Sequence, residues 1–207
     1  MKFMKQFTEN FSKKPAFLIN EVKLFLDRRN ASEGYYKLLI HNLLKSNRIY
    51  KITRGAYTFH DEVQYSGFAF QPFYYGLEDA LTLRGLWEQK TNPVIITPRK
   101  VRNGVRQFDS RNYLVRHIKR KMFFGYSLLQ YGLFHIPVSD LEKTLIDLVY
   151  FDIRVPDETL VKIIRKLNRE TFNTYLGEIP ENLSKRIRKI VNKKKRQSGK
   201  LVEGKLL

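Results

Sequence analysis

An α+β protein of two units followed by a basic tail is the fold the sequence predicts, and three observations predict it. Residues 1–60 carry three apolar stripes of helical period and then two short runs around Arg54-Gly55. Residues 61–192 mix brief apolar runs, such as Pro93-Val94-Ile95-Ile96-Thr97, with further helical stripes. Charge divides the chain in a similar way: of a net +19, residues 1–60 carry +8, residues 61–183 only +2, and residues 184–207 carry +9. The predicted divisions are therefore 1–60, 61–192, and a basic, disordered tail over 193–207.

Residues 2–12 make the first predicted helix, with Phe3, Met4, Phe7 and Phe11 on one side; Pro15 disfavours helix at the residue before it and ends the run. Asn20 is the expected cap of a second helix, with Glu21 in its first turn. Ile19 and Leu24 hold the two positions of a hydrophobic staple, and Val22, Phe25 and Leu26 face the core. Arg29-Asn30-Ala31 is a link of the length found in the turn of a helix-turn-helix. Ser32 is the expected cap of the third helix, because its hydroxyl can accept from an orphan N–H, and Glu33 complements the helix dipole. Tyr36, Leu39, Leu43 and Leu44 form the stripe of that helix. Lys37, His41 and Lys45 are four apart and lie together away from it, with Tyr35 near the helix start.

Ile49 to Thr53 and Ala56 to Phe59 read as two strands, with Lys51 on the first, Arg54 at the tip, and Gly55 free to take positive φ. A helix with a basic face followed by a hairpin with a basic tip is the DNA-contacting half of a winged helix-turn-helix. The same residues also describe a solvated helix face beside an ordinary hairpin. What separates the two readings is the charge asymmetry: basic ends around an electrically ordinary middle favour a polyanionic partner. Neither end has the Trp-rich amphipathic pattern of an interfacial helix, which ranks nucleic acid ahead of anionic membrane.

In the second unit, residues 60–73 read as a linker or crossing strand. Tyr75 to Arg84 reads as a helix with Leu77, Ala80 and Leu81 inward and Gly85 just past its end. Strands are predicted over residues 93–97, 105–108, 113–118, 126–130 and 133–137. Ser139-Asp140-Leu141-Glu142 has the form of a capping box, opening a helix with Leu141, Leu145, Leu148 and Val149 on one face. A helix opened by Pro156-Asp157 follows, with Leu160, Ile163, Ile164 and Leu167 as its stripe. A short one comes next, over residues 171–176. The last, over residues 181–196, turns Leu183, Ile187, Ile190 and Val191 inward.

Cysteine is absent, which excludes disulfides, thiolate metal sites and cysteine nucleophiles. No apolar run approaches the roughly 20 residues of a membrane span, and the opening residues MKFMKQFTENF lack the apolar segment of a signal peptide, so a cytoplasmic protein is expected. His41, His60, His117 and His135 show no metal-ligand spacing, and there is no phosphate loop, dinucleotide turn or nucleophile elbow; no cofactor and no metal are expected. Asp140, Glu142, Lys143 and Asp147 have the residue content of a nuclease site. Helix-end acids and an i,i+4 pair explain the same residues, so no catalytic role is assigned.

The segment HNLLKSNRIYKITRGAYTF (41–59) resembles the winged-helix N-terminus of AbiEi-type antitoxins. Arg48, Ile49, Ile52, Arg54, Gly55 and Tyr57 match that family's wing pattern, with Asn47 standing where Gly is commoner. Residues 72–86, 123–126 and 138–151 resemble its later motifs, and the string from Glu142 to Asp147 is the most specific piece. The likeness spans about residues 17 to 155. It implies an antitoxin of a type IV toxin–antitoxin pair that represses its own operon by binding inverted repeats in double-stranded DNA. It further implies a nucleotidyltransferase-like toxin encoded alongside, with no need for direct contact between the two. Ser32, Tyr35, Lys37, His41, Lys45, Lys51 and Arg54 are then the expected DNA-binding residues, and Ser139, Glu142, Lys143 and Asp147 a structural motif. The rivals are a stand-alone regulator, a nucleic-acid-processing enzyme, and a protein-binding module with solubilising ends.

Overall fold

The computed structural model of the protein describes residues 3–203. The fold is α+β, with a three-stranded sheet near the N-terminus and a six-stranded mixed sheet after it. The first part runs α1 (Met4–Phe11), β1 (Phe17–Leu18), α2 (Ile19–Asp27), α3 (Tyr35–Lys45), β2 (Tyr50–Thr53) and β3 (Ala56–Thr58). β1 adds antiparallel to β3, with Phe17 opposite Tyr57 and Leu18 opposite Ala56, so the sheet order is β1-β3-β2. Phe7, Phe11, Phe17, Val22, Leu26, Leu39, Ile40, Leu43 and Ile49 form its core. Phe7 meets Phe17 edge to face at 5.6 Å, one of several ring contacts that fill a small core with large groups.

Two helix starts differ from expectation. α2 begins at Ile19, so Asn20 is inside the helix and caps nothing. The strand β1 feeds straight into it, and the Ile19 N–H goes to the Gly55 carbonyl at 2.8 Å, a tertiary partner in place of a side-chain cap. Glu21 accepts from the Leu18 N–H at 2.7 Å, while Leu24 is 59% exposed and staples nothing. α3 begins at Tyr35 after Gly34, whose φ of +84° only glycine adopts without strain. Ser32 therefore lies exposed before the helix, not at its cap, and the link is twice the expected length and more.

The second part opens with a 3-10 helix, Val63–Phe70, where a linker or strand was expected. It is largely buried, and Gly67 packs so closely under Phe73 and Tyr75 that no side chain fits there. Then follow β4 (Tyr74–Tyr75), α4 (Leu77–Leu83), β5 (Val94–Thr97), β6 (Gly104–Phe108), β7 (Arg111–His117), β8 (Tyr126–Tyr131) and β9 (Phe134–Ser139). Four helices close the chain: α5 (Leu141–Tyr150), α6 (Asp157–Lys166), α7 (Arg169–Glu178) and α8 (Glu181–Glu203). The sheet order is β6-β7-β5-β4-β9-β8, with β4–β9 and β5–β7 parallel and the other pairs antiparallel.

Both faces of this sheet are covered, which is why β5 reads as an unbroken apolar run. Val94 and Ile96 face a core shared with α5, α6, α7 and α8, and Ile95 faces a second core with Phe70, Tyr113, Val115 and Ile136. That second core also contains Ile52 and Ala56 of the N-terminal hairpin. The Tyr113 hydroxyl donates to the Ile52 carbonyl at 2.8 Å, so the boundary drawn at residue 60 crosses a packed interface. α8 extends to Glu203, so the backbone of residues 193–203 is helical where a tail without order was expected. Residues 204–207 lie outside the described residues. Among the described residues no helix is long and apolar enough to cross a membrane.

Candidate nucleic-acid interface

Helix α3 turns Leu39, Ile40 and Leu43 into the core, and this fixes what its other face presents. Lys37, His41 and Lys45 are exposed there, and Leu38 stands among them at 53% exposure. Tyr36 lies at the edge of this face between two cations, with the Lys23 ammonium 4.8 Å and the Lys37 ammonium 6.0 Å from its ring. Tyr35 is half-buried and meets Phe3 edge to face at 6.0 Å, so it is tied into the fold at the helix start. The hairpin that follows leaves Lys51 and Arg54 exposed, with Gly55 at φ +77° closing the turn.

A further contribution comes from the second unit. Residues 99–121 hold nine Lys and Arg and a single acid, Asp109. This block spans β6 and β7 with their flanking loops, and β6 lies beside β2 of the hairpin. Arg106 marks the junction. Its guanidinium donates to the Thr53 hydroxyl at 3.4 Å and to the Arg102 carbonyl at 3.1 Å, and sits 4.9 Å over the Phe70 ring. Arg99, Lys100, Arg102 and Arg111 are exposed. A net +2 over residues 61–183 concealed this block, because acids elsewhere in the same span cancel it.

Of the motif residues of α5, Ser139 and Glu142 do different work from that expected, while Lys143 and Asp147 pair as their spacing predicts. Asp140, not Ser139, is the cap: its Oδ1 accepts from the Lys143 N–H at 2.7 Å, and its Oδ2 accepts from the Tyr175 hydroxyl at 2.8 Å. Ser139 ends β9 and shares a hydrogen bond with Thr144 at 2.7 Å. Glu142 does not reach back to close a capping box. Its Oε1 accepts from the Asn168 N–H at 2.6 Å and so ties α5 to the start of α7. Lys143 and Asp147 pair at i,i+4, and neither side chain has any exposed surface. The second Asp147 oxygen accepts from the Tyr74 hydroxyl at 2.7 Å. Burial pushes Asp147 up and Lys143 down from their ordinary pKa values, and their mutual attraction opposes both shifts. The network joins β4, β9, α5 and α7 inside the core. Asp140→Ala should cost about 1–2 kcal/mol, whereas Glu142→Gln, which keeps an acceptor for Asn168, should cost little. Urea unfolding of the two variants compares them directly.

No family model matches the chain, and a search of curated proteins finds no match for it.

Proposed function

We propose that the chain is a transcriptional regulator that binds double-stranded DNA through a winged helix-turn-helix formed by residues 1–60. The observation that carries this reading is the exposed basic face of α3 followed directly by a hairpin with an exposed Lys51 and Arg54. The element order supports it: helix, short strand, helix, helix, hairpin, with the short strand added to the hairpin. In this reading α3 enters the major groove, where Lys37, His41 and Lys45 meet phosphate or base edges and Leu38 reaches a thymine methyl group. The hairpin lies on the flanking backbone, and the cations of residues 99–121 extend the phosphate contacts onto the second unit. Ser32, exposed ahead of α3, belongs at the margin of such an interface, and Tyr35 positions the helix.

The resemblance to AbiEi-type antitoxins makes inverted repeats in the chain's own promoter the natural operator. A nucleotidyltransferase-like toxin is then the functional counterpart, with the protein acting as its antitoxin and repressing their shared operon.

Fluorescence titration of duplex DNA across a salt series tests the DNA reading. Binding should weaken linearly in log[salt]. Arg54→Ala should reduce the slope by about one unit and weaken all sequences alike, as loss of a phosphate contact does. Leu38→Ala should narrow the gap between operator and scrambled duplex while leaving the slope unchanged. Affinity that is indifferent to salt, or that neither substitution alters, would take this surface out of DNA recognition.

A further inference from the structure

A cavity of about 350 Å³ opens between α6, α7 and α8, on the side of the six-stranded sheet that Val94 and Ile96 face. The N-terminal hairpin packs with Ile95 on the opposite side, so the sheet separates this cavity from the hairpin. The cavity floor is apolar. Val161 and Ile164 come from α6, Leu167 from just past its end, Phe172 from α7 and Val191 from α8. Arg165, Arg169, Lys194 and Lys195 stand around this floor, and among the described residues no acid lines it.

Helical period produces the pattern. One turn separates Val161 from Arg165 on α6, Arg169 from Phe172 on α7, and Val191 from Lys195 on α8. Each helix therefore brings an apolar side chain and a cation to the same face. A solvated helix face accounts for cations that point away from a core, but not for cations that converge from three helices on an unfilled apolar floor. Lys194 is already paired with Asp157 at 2.6 Å. Arg165, Arg169 and Lys195 are exposed, and among the described residues no acid pairs with them. A second cavity of about 280 Å³ adjoins the first and shares Arg169, Phe172, Val191 and Lys195 with it; Asn173, Arg188 and Asn192 complete its walls. An apolar end thus leads into a polar end, and Arg169 and Lys195 stand where the two meet.

We propose that the joined cavities bind a small amphipathic anion, with an apolar chain on the floor and a carboxylate or phosphate head between Arg169 and Lys195. The combination of groups selects this occupant. A nucleic-acid backbone or a run of acids satisfies the cations but leaves the floor of Val161, Ile164, Leu167, Phe172 and Val191 wet. A neutral apolar molecule covers the floor but leaves Arg165, Arg169 and Lys195 facing one another without a counter-charge. An anion on an apolar chain answers both, replacing repulsion with charge-assisted hydrogen bonds and removing apolar surface from water. The volume also lies in the range that small ligands occupy, about 300–1,000 Å³. This inference does not depend on the DNA reading, because the site lies across the sheet from the hairpin and its test contains no DNA.

Calorimetric titration of the full chain with straight-chain carboxylates, each below its micelle concentration, tests the site. Decanoate should bind saturably, and affinity should rise from hexanoate to decanoate by up to about fourfold per methylene. Decyl phosphate, run beside decanoate, assigns the head group to whichever binds more tightly, and either result supports the site. Decyltrimethylammonium has the same chain on a cationic head and should not bind. Arg169→Gln combined with Lys195→Gln should weaken decanoate at least ~tenfold. Val161→Glu, which sets a carboxylate inside the cavity, should do the same, with thermal melts reporting that the variants are folded. Lys162→Gln combined with Lys189→Gln removes as much charge from α6 and α8 outside both cavities and should leave binding unchanged. Absence of saturable binding by both anions overturns the proposal. So does binding of decyltrimethylammonium or polyglutamate as tight as that of decanoate. Decanoate bound at wild-type affinity by a folded cavity variant, or weakened equally in the outer-lysine variant, overturns it as well.

Discussion

Lys143→Met should destabilise the protein by about 3–5 kcal/mol, because it leaves the Asp147 carboxylate buried without its counter-charge. The side chain loses little packing, since a methionine fills much the same space between the rings of Tyr74 and Phe124. What it removes is the ammonium that Asp147 pairs with, deep in α5 where neither partner is exposed at all. The cost of a lone buried charge exceeds the net value of the pair, so the second substitution should relieve the first. Lys143→Met with Asp147→Asn retains an acceptor for the Tyr74 hydroxyl and should recover at least about half of the loss. Unfolding free energies of the wild type, both single variants and the double variant close the cycle. Strict additivity would mean that the two residues do not stabilise each other.

The second large effect concerns pH. Asp79 sits in the first turn of α4 with 3% of its surface exposed. It accepts from the Val94 N–H and the Gln64 amide, each at 3.1 Å, and among the described residues no cation pairs with it. Burial outweighs these two hydrogen bonds and raises its pKa from 3.8 to about 7. The folded protein thus holds this proton more tightly than the unfolded chain does. The resulting stability is fully present below about pH 4 and is lost as pH rises through about 7. Asp79→Asn keeps an oxygen for both donors and has no proton to lose. It should match the wild type near the acid end and exceed it by about 2–4 kcal/mol at pH 8. Parallel stability curves for the two proteins over this range would show that Asp79 titrates normally in the fold.

Much of the fold was legible because local chemistry and tertiary structure agree. The hairpin strands are found within a residue of where Arg54-Gly55 places them, and the α4 stripe of Leu77, Ala80 and Leu81 is buried as its period implies. The misses share a cause. Asn20 and Ser32 have the right chemistry for caps, but a strand pairing and a glycine at φ +84° determine where those helices start. Residues 63–70 show no period because a 3-10 helix buried on several sides needs none. The Lys143–Asp147 pair was visible as a spacing, but its burial was not. Four polar residues in one helix suggest a wet face, and only the helices packed around α5 remove the water. The basic face of α3 was legible residue by residue. The grouping of the cations of residues 99–121 was not, since averaging over a long span erased it and only the fold brings β6 beside β2.

The hydrogen bond from Tyr113 to Ile52 and the core that surrounds it bear on how the chain comes apart. A fragment ending near residue 60 would expose Ile52 and Ala56, along with the face of Tyr50 that meets Phe108. The hairpin is therefore half-owned by the second unit, and its rigidity is borrowed. Modularity stops at this seam: neither part can be grafted onto another scaffold without carrying some of its neighbour. Heat or denaturant would be expected to melt the two as one cooperative body.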